Sequence, residues 1–263
     1  MNQNEIDEAI QAYYSGEFDE NARLTTRSAQ GRLEFERTQE VIRRATPPPA
    51  RVLDVGGATG VHAAALVATG YDVVLVDPVP SQVATAALVG TFKAVVGDAR
   101  ALDFPDDSFD AVLIAGPLYH LAGRDDRRRA LREARRVCRP GGVVHASAIP
   151  RLAVFAAAAL EPALLDADLD GWLDLLRVGT PVGSTRFPGG HFHTARELEE
   201  EMLASGIRDV TVIGLEGPGG FALESVTEVN EADYAAAIQL ARTFAGAGHI
   251  RDFSNHLLGS GLA

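Results

Sequence analysis

The sequence predicts an α/β protein: a doubly wound, mostly parallel, seven-stranded sheet with an N-terminal helical cap and an insertion after strand five. Three observations carry this. From Arg51 onward short apolar runs alternate with helix-like segments, in the order "RVLDV", "VHAAALVATG", "DVVLVD", "SQVATAALVG" and "KAVVGD". The runs are too apolar to keep one face in water, which suits parallel strands covered by helices on both sides. Finally, the "PPP" at Pro47 to Pro49 cannot continue a helix and separates a polar, helix-prone segment from the first strand.

Taken in order, residues 1–49 are the cap and linker and residues 50–150 the first five strands, of which "FDAVLIAG" and "GGVVHASAI" are the last two. A helix from about Asp125 to Cys138 joins them. Residues 151–193 break the rhythm with "FAAAALEPALLDADLDGWLDLL" and "GTPVGSTRFPGG". An insertion of that size on the carboxyl edge of a sheet suits a ligand, with a packing hairpin as the alternative. Residues 194–263 resume the alternation, with Thr194 and Glu197 as a capping box and Gly206 as a helix stop. "RDVTVIGLEG" is strand six, a helix runs from about Asn230 to Ala247, and "NHLLGSGLA" is the candidate for strand seven. All of this forms one domain.

The chain has 263 residues, 46% of them hydrophobic, enough for a substantial core. A net charge of -12 and a pI near 5.0 oppose nucleic-acid binding, which needs clustered cations. The basic run Arg124 to Arg139 is interleaved with acids and reads as a solvated helix face. Cys138 is the single cysteine, so an intramolecular disulfide is excluded and a packed thiol is expected. The N-terminus lacks the apolar core of a signal peptide, and Leu152 to Leu160, the longest apolar stretch, falls short of the roughly 20 residues that a bilayer needs. The expectation is a cytoplasmic monomer or homodimer without a membrane partner.

"VLDVGGATGVH" holds three glycines in five residues between a strand and a helix, where a ligand approaches backbone N–H groups. The dinucleotide fingerprint fails, because counting from Gly56 its glycine positions hold Gly56, Ala58 and Val61. A phosphate-cradling P-loop fails because no lysine occurs from Met1 to Phe92. What remains resembles the first motif of class I S-adenosylmethionine (SAM)-dependent methyltransferases of the bacterial small-molecule type, D/E-x-G-x-G-x-G, at Asp54, Gly56, Ala58 and Gly60, with Ala58 replacing the middle glycine. "VLVDP" and "VVGDAR" follow at the ends of strands two and three, and "GPLYHL" after strand four.

The resemblance implies a Rossmann-like methyltransferase fold and SAM as cofactor, released as S-adenosylhomocysteine (SAH). It implies that Gly56, Gly57, Ala58 and Gly60 admit the methionine part, with Asp54 orienting the loop. Asp77, beside Pro78, accepts from both ribose hydroxyls; Asp98 faces the adenine amino group with Ala99 beside the ring, and Ala115 completes the pocket. Acidic strand ends suit a cationic cofactor and would repel a pyrophosphate. Each aspartate alone has the alternative of a helix cap or turn former.

The N-terminal segment resembles a cap that closes over the cofactor, with Tyr13 and Tyr14 offering aromatic faces to a sulfonium and Arg32 or Glu36 reaching the methionine end; a surface helix packed through Leu33, Phe35 and Val41 is the competing reading. The slot Gly116, Pro117, Leu118, Tyr119 lacks the side-chain carbonyl that holds planar amino groups in DNA and protein-glutamine methyltransferases. A small-molecule acceptor is therefore expected, methylated on O or N. By resemblance Tyr119 and His120 face the acceptor, His120 as base or orienter, or else as a helix cap. His191 and His193 share a face if extended and are candidate substrate contacts, a structural turn being the alternative; no carboxylate at close spacing completes a metal site. Trp172, with Phe155, Phe187 and Phe192, is a candidate substrate wall or the insertion's own core. His62 and His145 are expected in packing. Three rival functions stand beside methyl transfer: a different reaction on SAM, a non-catalytic binding module, and a nicotinamide oxidoreductase.

Overall fold

The computed structural model describes residues 2–16, 19–159, 168–182, 188–248 and 250–263. Phe187 and the parts of the insertion at 160–167 and 183–187 lie outside the described residues. The seven strands are β1 (Arg51–Val55), β2 (Asp72–Asp77), β3 (Lys93–Val96), β4 (Phe109–Ile114), β5 (Cys138–Ala148), β6 (Arg208–Gly214) and β7 (Leu257–Leu262). They lie side by side in the order β3-β2-β1-β4-β5-β7-β6. β7 is antiparallel to both neighbours and the other pairings are parallel. The order reverses between β1 and β4, and there the strand ends diverge into a crevice.

Alternation along β1 shows why helices cover both faces. Leu53 and Val55 join one core cluster with Leu131, Ala134, Leu198 and Met202 of α7 (Arg124–Val137) and α10 (Ala195–Ala204). Val52 joins the other, with Ile42 of α3 (Ala29–Ala45) and Leu66 of α4 (Val61–Ala68). Inner strands are exposed at their starts, as at Arg51 of β1, Asp72 of β2 and residues 139–141 of β5, and the edge strands more widely. Lys93 and Val96 of β3, and Arg208, Asp209 and Thr211 of β6, are exposed because an edge strand has a single neighbour. Cys138 is the expected packed thiol, its pKa raised by burial to about 12.

The cap is three helices, α1 (Gln3–Ser15), α2 (Glu20–Thr25) and α3, and it packs on the C-terminal part of the chain. Ala29 and Leu33 meet Leu223 of α11 (Pro218–Leu223), and Tyr234 and Ala237 of α12 (Glu231–Phe244). The helix α11 was not foreseen; Pro218 starts it directly after Gly217. A buried polar network makes the same connection. Arg23 donates to Glu34 at 2.6 and 2.9 Å. Glu216 accepts from Gln30 (3.0 Å), Ser254 (2.8 Å), and the backbone and Nδ1 of His256 (2.8 and 2.6 Å). Burial opposes charge on His256, yet Glu34 and Glu216 outweigh it and raise its pKa to about 9. Burial likewise opposes ionisation of Glu34, but Arg23 and His256 bring it down to about 2. Two carboxylates thus face two cations.

Candidate cofactor and acceptor site

A cavity of about 460 Å³ opens at the crevice between β1 and β4, with Asp7, Ile10, Gln11 and Tyr14 of α1 closing one side. That volume is in the usual range for small-molecule sites. After β1 the chain turns through Gly56 (φ 78°), Ala58 (φ 47°) and Gly60 (φ 86°). A Cβ on Gly56 would stand 2.7 Å from the Ala115 carbonyl oxygen and 2.6 Å from Pro117 Cδ, so only glycine fits between the two loops. Ala58 bears the cost of a left-handed conformation, and its N–H donates to Asp77 Oδ2 at 2.9 Å, a charge-assisted bond that offsets it.

Gly56, Ala58, Asp77, Pro78, Asp98, Ala99 and Ala115 line the cavity. Asp54, Gly57 and Gly60 lie behind them: a Cβ on Gly57 would meet Asp54 Oδ2 at 2.7 Å, and Gly60 opens α4. Asp54 is fully buried, and neither of its carboxylate oxygens has a hydrogen-bond partner among the described residues. Burial, followed by the nearby charge of Asp77, raises its pKa to about 7. Asp77 Oδ1 accepts from Val79 N at 2.9 Å; burial lifts its pKa to about 6 against the pull of that bond and the one from Ala58. Asp98 stays ionised, since Arg100 Nε and Nη2 grip it at 2.6 to 3.0 Å and outweigh its desolvation. Arg100 Nη2 also reaches Asp7 on α1 at 3.0 Å.

On the acceptor side Tyr119 and His120 sit on the short helix α6 (Pro117–His120). His120 Nδ1 lies 2.8 Å from the Pro188 carbonyl oxygen. A carbonyl only accepts, so Nδ1 carries the proton and Nε2 is the acceptor. Tyr14 Oη, 3.1 Å from Nε2, donates to it. Burial depresses the His120 pKa to about 4, leaving a neutral ring, and raises the phenols of Tyr14 and Tyr119 above their ordinary range. The Tyr14 and Tyr119 rings stand edge-on to His120 at 5.6 and 4.8 Å, and Tyr13 stands edge-on to Tyr14.

Three expected substrate contacts lie away from the cavity. Trp172 is buried with Leu175, Val182 and Phe192 beside Phe155, so these rings form the insertion's own core. His191 and His193 do share a face, but that face meets α10: His191 bonds Glu197 at 3.1 Å and the buried His193 faces Glu201 at 3.4 Å. None of the three lines the cavity. Arg32 pairs with Glu36 and stacks over Tyr234, and it does not line the cavity either. Leu33 and Phe35 pack instead, Phe35 stacked on His62. His145 is buried against Ser260. Arg127, expected on a solvated face, is 2% exposed and bonds Glu201.

The sequence reading missed Asp7, Gln11, Glu20 and Arg100, which line the cavity, and the Pro188 carbonyl that holds His120. Only Arg100 had a nearby signal, two places after Asp98 in "VVGDAR". The cluster Glu34, Glu216 and His256 has metal-like spacing, but Arg23 already occupies Glu34 and a protonated His256 offers no lone pair at Nδ1.

These residues fit SAM. The unpartnered Asp54 leaves a carboxyl group under the glycine loop whose ionised form a bound cation would favour, and among the described residues the cavity's side-chain charges are Asp7, Glu20, Asp77 and Asp98 against Arg100. Such a lining attracts a cation and repels a pyrophosphate.

Comparison with known proteins agrees. Residues 53–146 match the family described as a methyltransferase domain. An uncharacterized methyltransferase of Mycobacterium tuberculosis is 45% identical over 94 residues, 35% of this chain and 37% of that protein. A ubiquinone/menaquinone biosynthesis C-methyltransferase of Marinomonas is 38% identical over 101 residues, 35% of this chain and 39% of the relative. The matches therefore span little more than a third of these curated relatives. A SAM-dependent methyltransferase structure from Thermotoga maritima shares the fold, with a TM-score of 0.60 and 18% identity over 98% of this chain and 97% of that one. The chain has the Rossmann-like class I fold. Its residues 53–146 are similar to a methyltransferase domain. No helix among the described residues is long and apolar enough to cross a membrane.

Proposed function

We propose that the whole chain transfers a methyl group from SAM to an O or N atom of a small molecule and releases SAH. The observation that carries this is the row of carboxylates at the ends of β1, β2 and β3, one of them unpartnered and buried, beside a glycine loop at the sheet's switch point. When bound, the sulfonium supplies an activated methyl group for in-line displacement. The chain's own part is alignment, which can supply roughly 7 to 11 kcal/mol. Gly56 gives the loop its close backbone approach, Asp77 binds the ribose hydroxyls, and Asp98, held by Arg100, takes the adenine side. As the new bond to the acceptor forms, an acceptor hydroxyl passes its proton to Tyr14 Oη while Tyr14 passes its own to His120 Nε2. An amine that arrives neutral needs this chain only for orientation.

Two expectations follow for the cofactor side. Asp77→Ala weakens SAM binding about ten- to a hundredfold, roughly 1.5 to 3 kcal/mol, through lost charge-assisted hydrogen bonds. Calorimetry on the folded variant checks this, and an unchanged affinity removes Asp77 from the site. SAM affinity also rises with pH. Asp54 and Asp77 titrate near 7 and 6 in the free protein, and a bound cation favours their ionised forms, so binding strengthens as pH climbs through 6 and 7 and levels off above. Titrations at pH 6 in buffers of different ionisation heat should register proton release; proton uptake contradicts the assignment.

On the acceptor side, His120→Ala keeps SAH affinity and slows turnover on a hydroxyl acceptor about a hundredfold. Wild-type turnover confines His120 to a structural role.

A further inference from the structure

We propose that two histidine–glutamate–arginine clusters, His191–Glu197–Arg151 and His193–Glu201–Arg127, position His120 and fix which of its ring nitrogens carries the proton. The proposal rests on His120 as the acceptor-side residue of the methyltransferase reading.

The clusters form a ladder. His191 and His193 are two apart on an extended segment and so share a face, and Glu197 and Glu201 are four apart on α10 and share another. The two histidine rings stand edge-on at 4.6 Å. On the first rung Glu197 accepts from His191 and from Arg151, while Arg151 Nε also donates to the Phe192 carbonyl at 2.9 Å. On the second, Glu201 accepts from Arg127 Nε and Nη2 at 2.7 to 3.2 Å and lies 3.4 Å from His193 Nε2.

Each rung leads to His120. Arg127 Nη1 donates to the carbonyls of Leu121 and Ala122 at 3.1 and 2.8 Å, which pins the chain directly after His120. The histidine segment continues back into Gly190 and Pro188. Gly190 N donates to the Tyr119 carbonyl at 2.7 Å, and a Cβ on Gly190 would lie 2.5 Å from the His120 carbonyl oxygen, so the loop lies flat against α6. Pro188 then presents the carbonyl that holds the Nδ1 proton. One carboxylate, Glu201, thus bonds the arginine behind His120 and faces the histidine of the loop in front of it.

The burial points the same way. The side chains of Glu201 and His193 are 0% exposed and that of Arg127 3%. A fully buried ion pair often adds little net stability over apolar packing, and its best-attested use is to specify one arrangement. The arrangement specified here is a His120 ring with the proton on Nδ1 and the lone pair of Nε2 toward Tyr14. Glu197 and Glu201 are positioning residues, since they touch neither the cavity nor the ring.

The test is ¹⁵N NMR of histidine-labelled protein, reading the His120 ring nitrogens in the wild type, Glu201→Gln and Glu197→Gln, with His120→Gln to assign the signals. The wild type should show one tautomer, protonated at Nδ1. Both variants should shift His120 toward mixed tautomers while binding SAH within about twofold of the wild type. Should Glu201→Gln fail to fold, Glu197→Gln, whose side chain is partly exposed, carries the test alone. Folded variants with wild-type His120 signals overturn the proposal, as does a wild-type ring protonated at Nε2. Failure of the wild type to bind SAH overturns the methyltransferase reading instead, and the ring signals still report on the clamp.

Discussion

Gly56→Val should lower SAM affinity more than a hundredfold, over about 2.7 kcal/mol, the largest effect on binding of any single change in the loop. Two causes add. The backbone at Gly56 has φ 78°, a conformation that costs an L-residue about 1 to 2 kcal/mol and is worst for a β-branched side chain. The new Cβ would also overlap the Ala115 carbonyl oxygen at 2.7 Å, and because that atom is backbone, the end of β4 must move with it. Gly141 separates the causes. It has the same φ of 78°, but a Cβ there meets nothing within 4 Å. Gly141→Val should therefore lose a similar conformational increment of stability and keep wild-type SAM affinity. Calorimetry and denaturant unfolding on both variants check the contrast, and equal losses of affinity would sink the steric argument.

Glu216→Ala should destabilise the protein by about 3 to 5 kcal/mol, as expected when one member of a buried ion pair is removed. Glu216 is fully buried and receives Gln30 from the cap and both Ser254 and His256 from the approach to β7. Without it the amide, the hydroxyl and part of the imidazolium charge are left unanswered inside the protein. Denaturant unfolding measures the loss. A change below about 1 kcal/mol would show that the cap is held by the apolar contacts of Leu33, Leu223 and Tyr234 and that the polar network is incidental.

The fold was legible in the sequence because its signals are local. Each central strand is an apolar run that stops at a polar residue or glycine, and the aspartates of strands one to three mark those stops in "VLDV", "LVDP" and "VVGDAR". Right-handed crossovers constrain how the parallel strands connect, but the order of the strands and the antiparallel seat of β7 between β5 and β6 were not foreseen. Even the departure at Ala58 was visible, although its compensation, the bond to Asp77 nineteen residues on, was not.

What the sequence hides is direction. Spacing puts His191 and His193 on one face but does not say that the face meets α10, because Glu197 and Glu201 reach them only after the chain has turned into the capping box at Thr194. Arg127 was legible in principle. It lies three, four and seven residues before Ala130, Leu131 and Ala134, the buried stripe of α7, and a charge on an apolar stripe needs a partner. The pairing of Tyr14 with His120 joins residues 106 apart in sequence and depends on how the cap docks, which no local pattern encodes.

The most direct test of the central claim is a calorimetric titration of the purified protein with SAH, SAM and NADH, after removing any cofactor carried through purification. The account predicts micromolar or tighter binding of the two sulfur ligands and none of NADH. Absence of binding by both sulfur ligands, or tight binding of NADH, would contradict it.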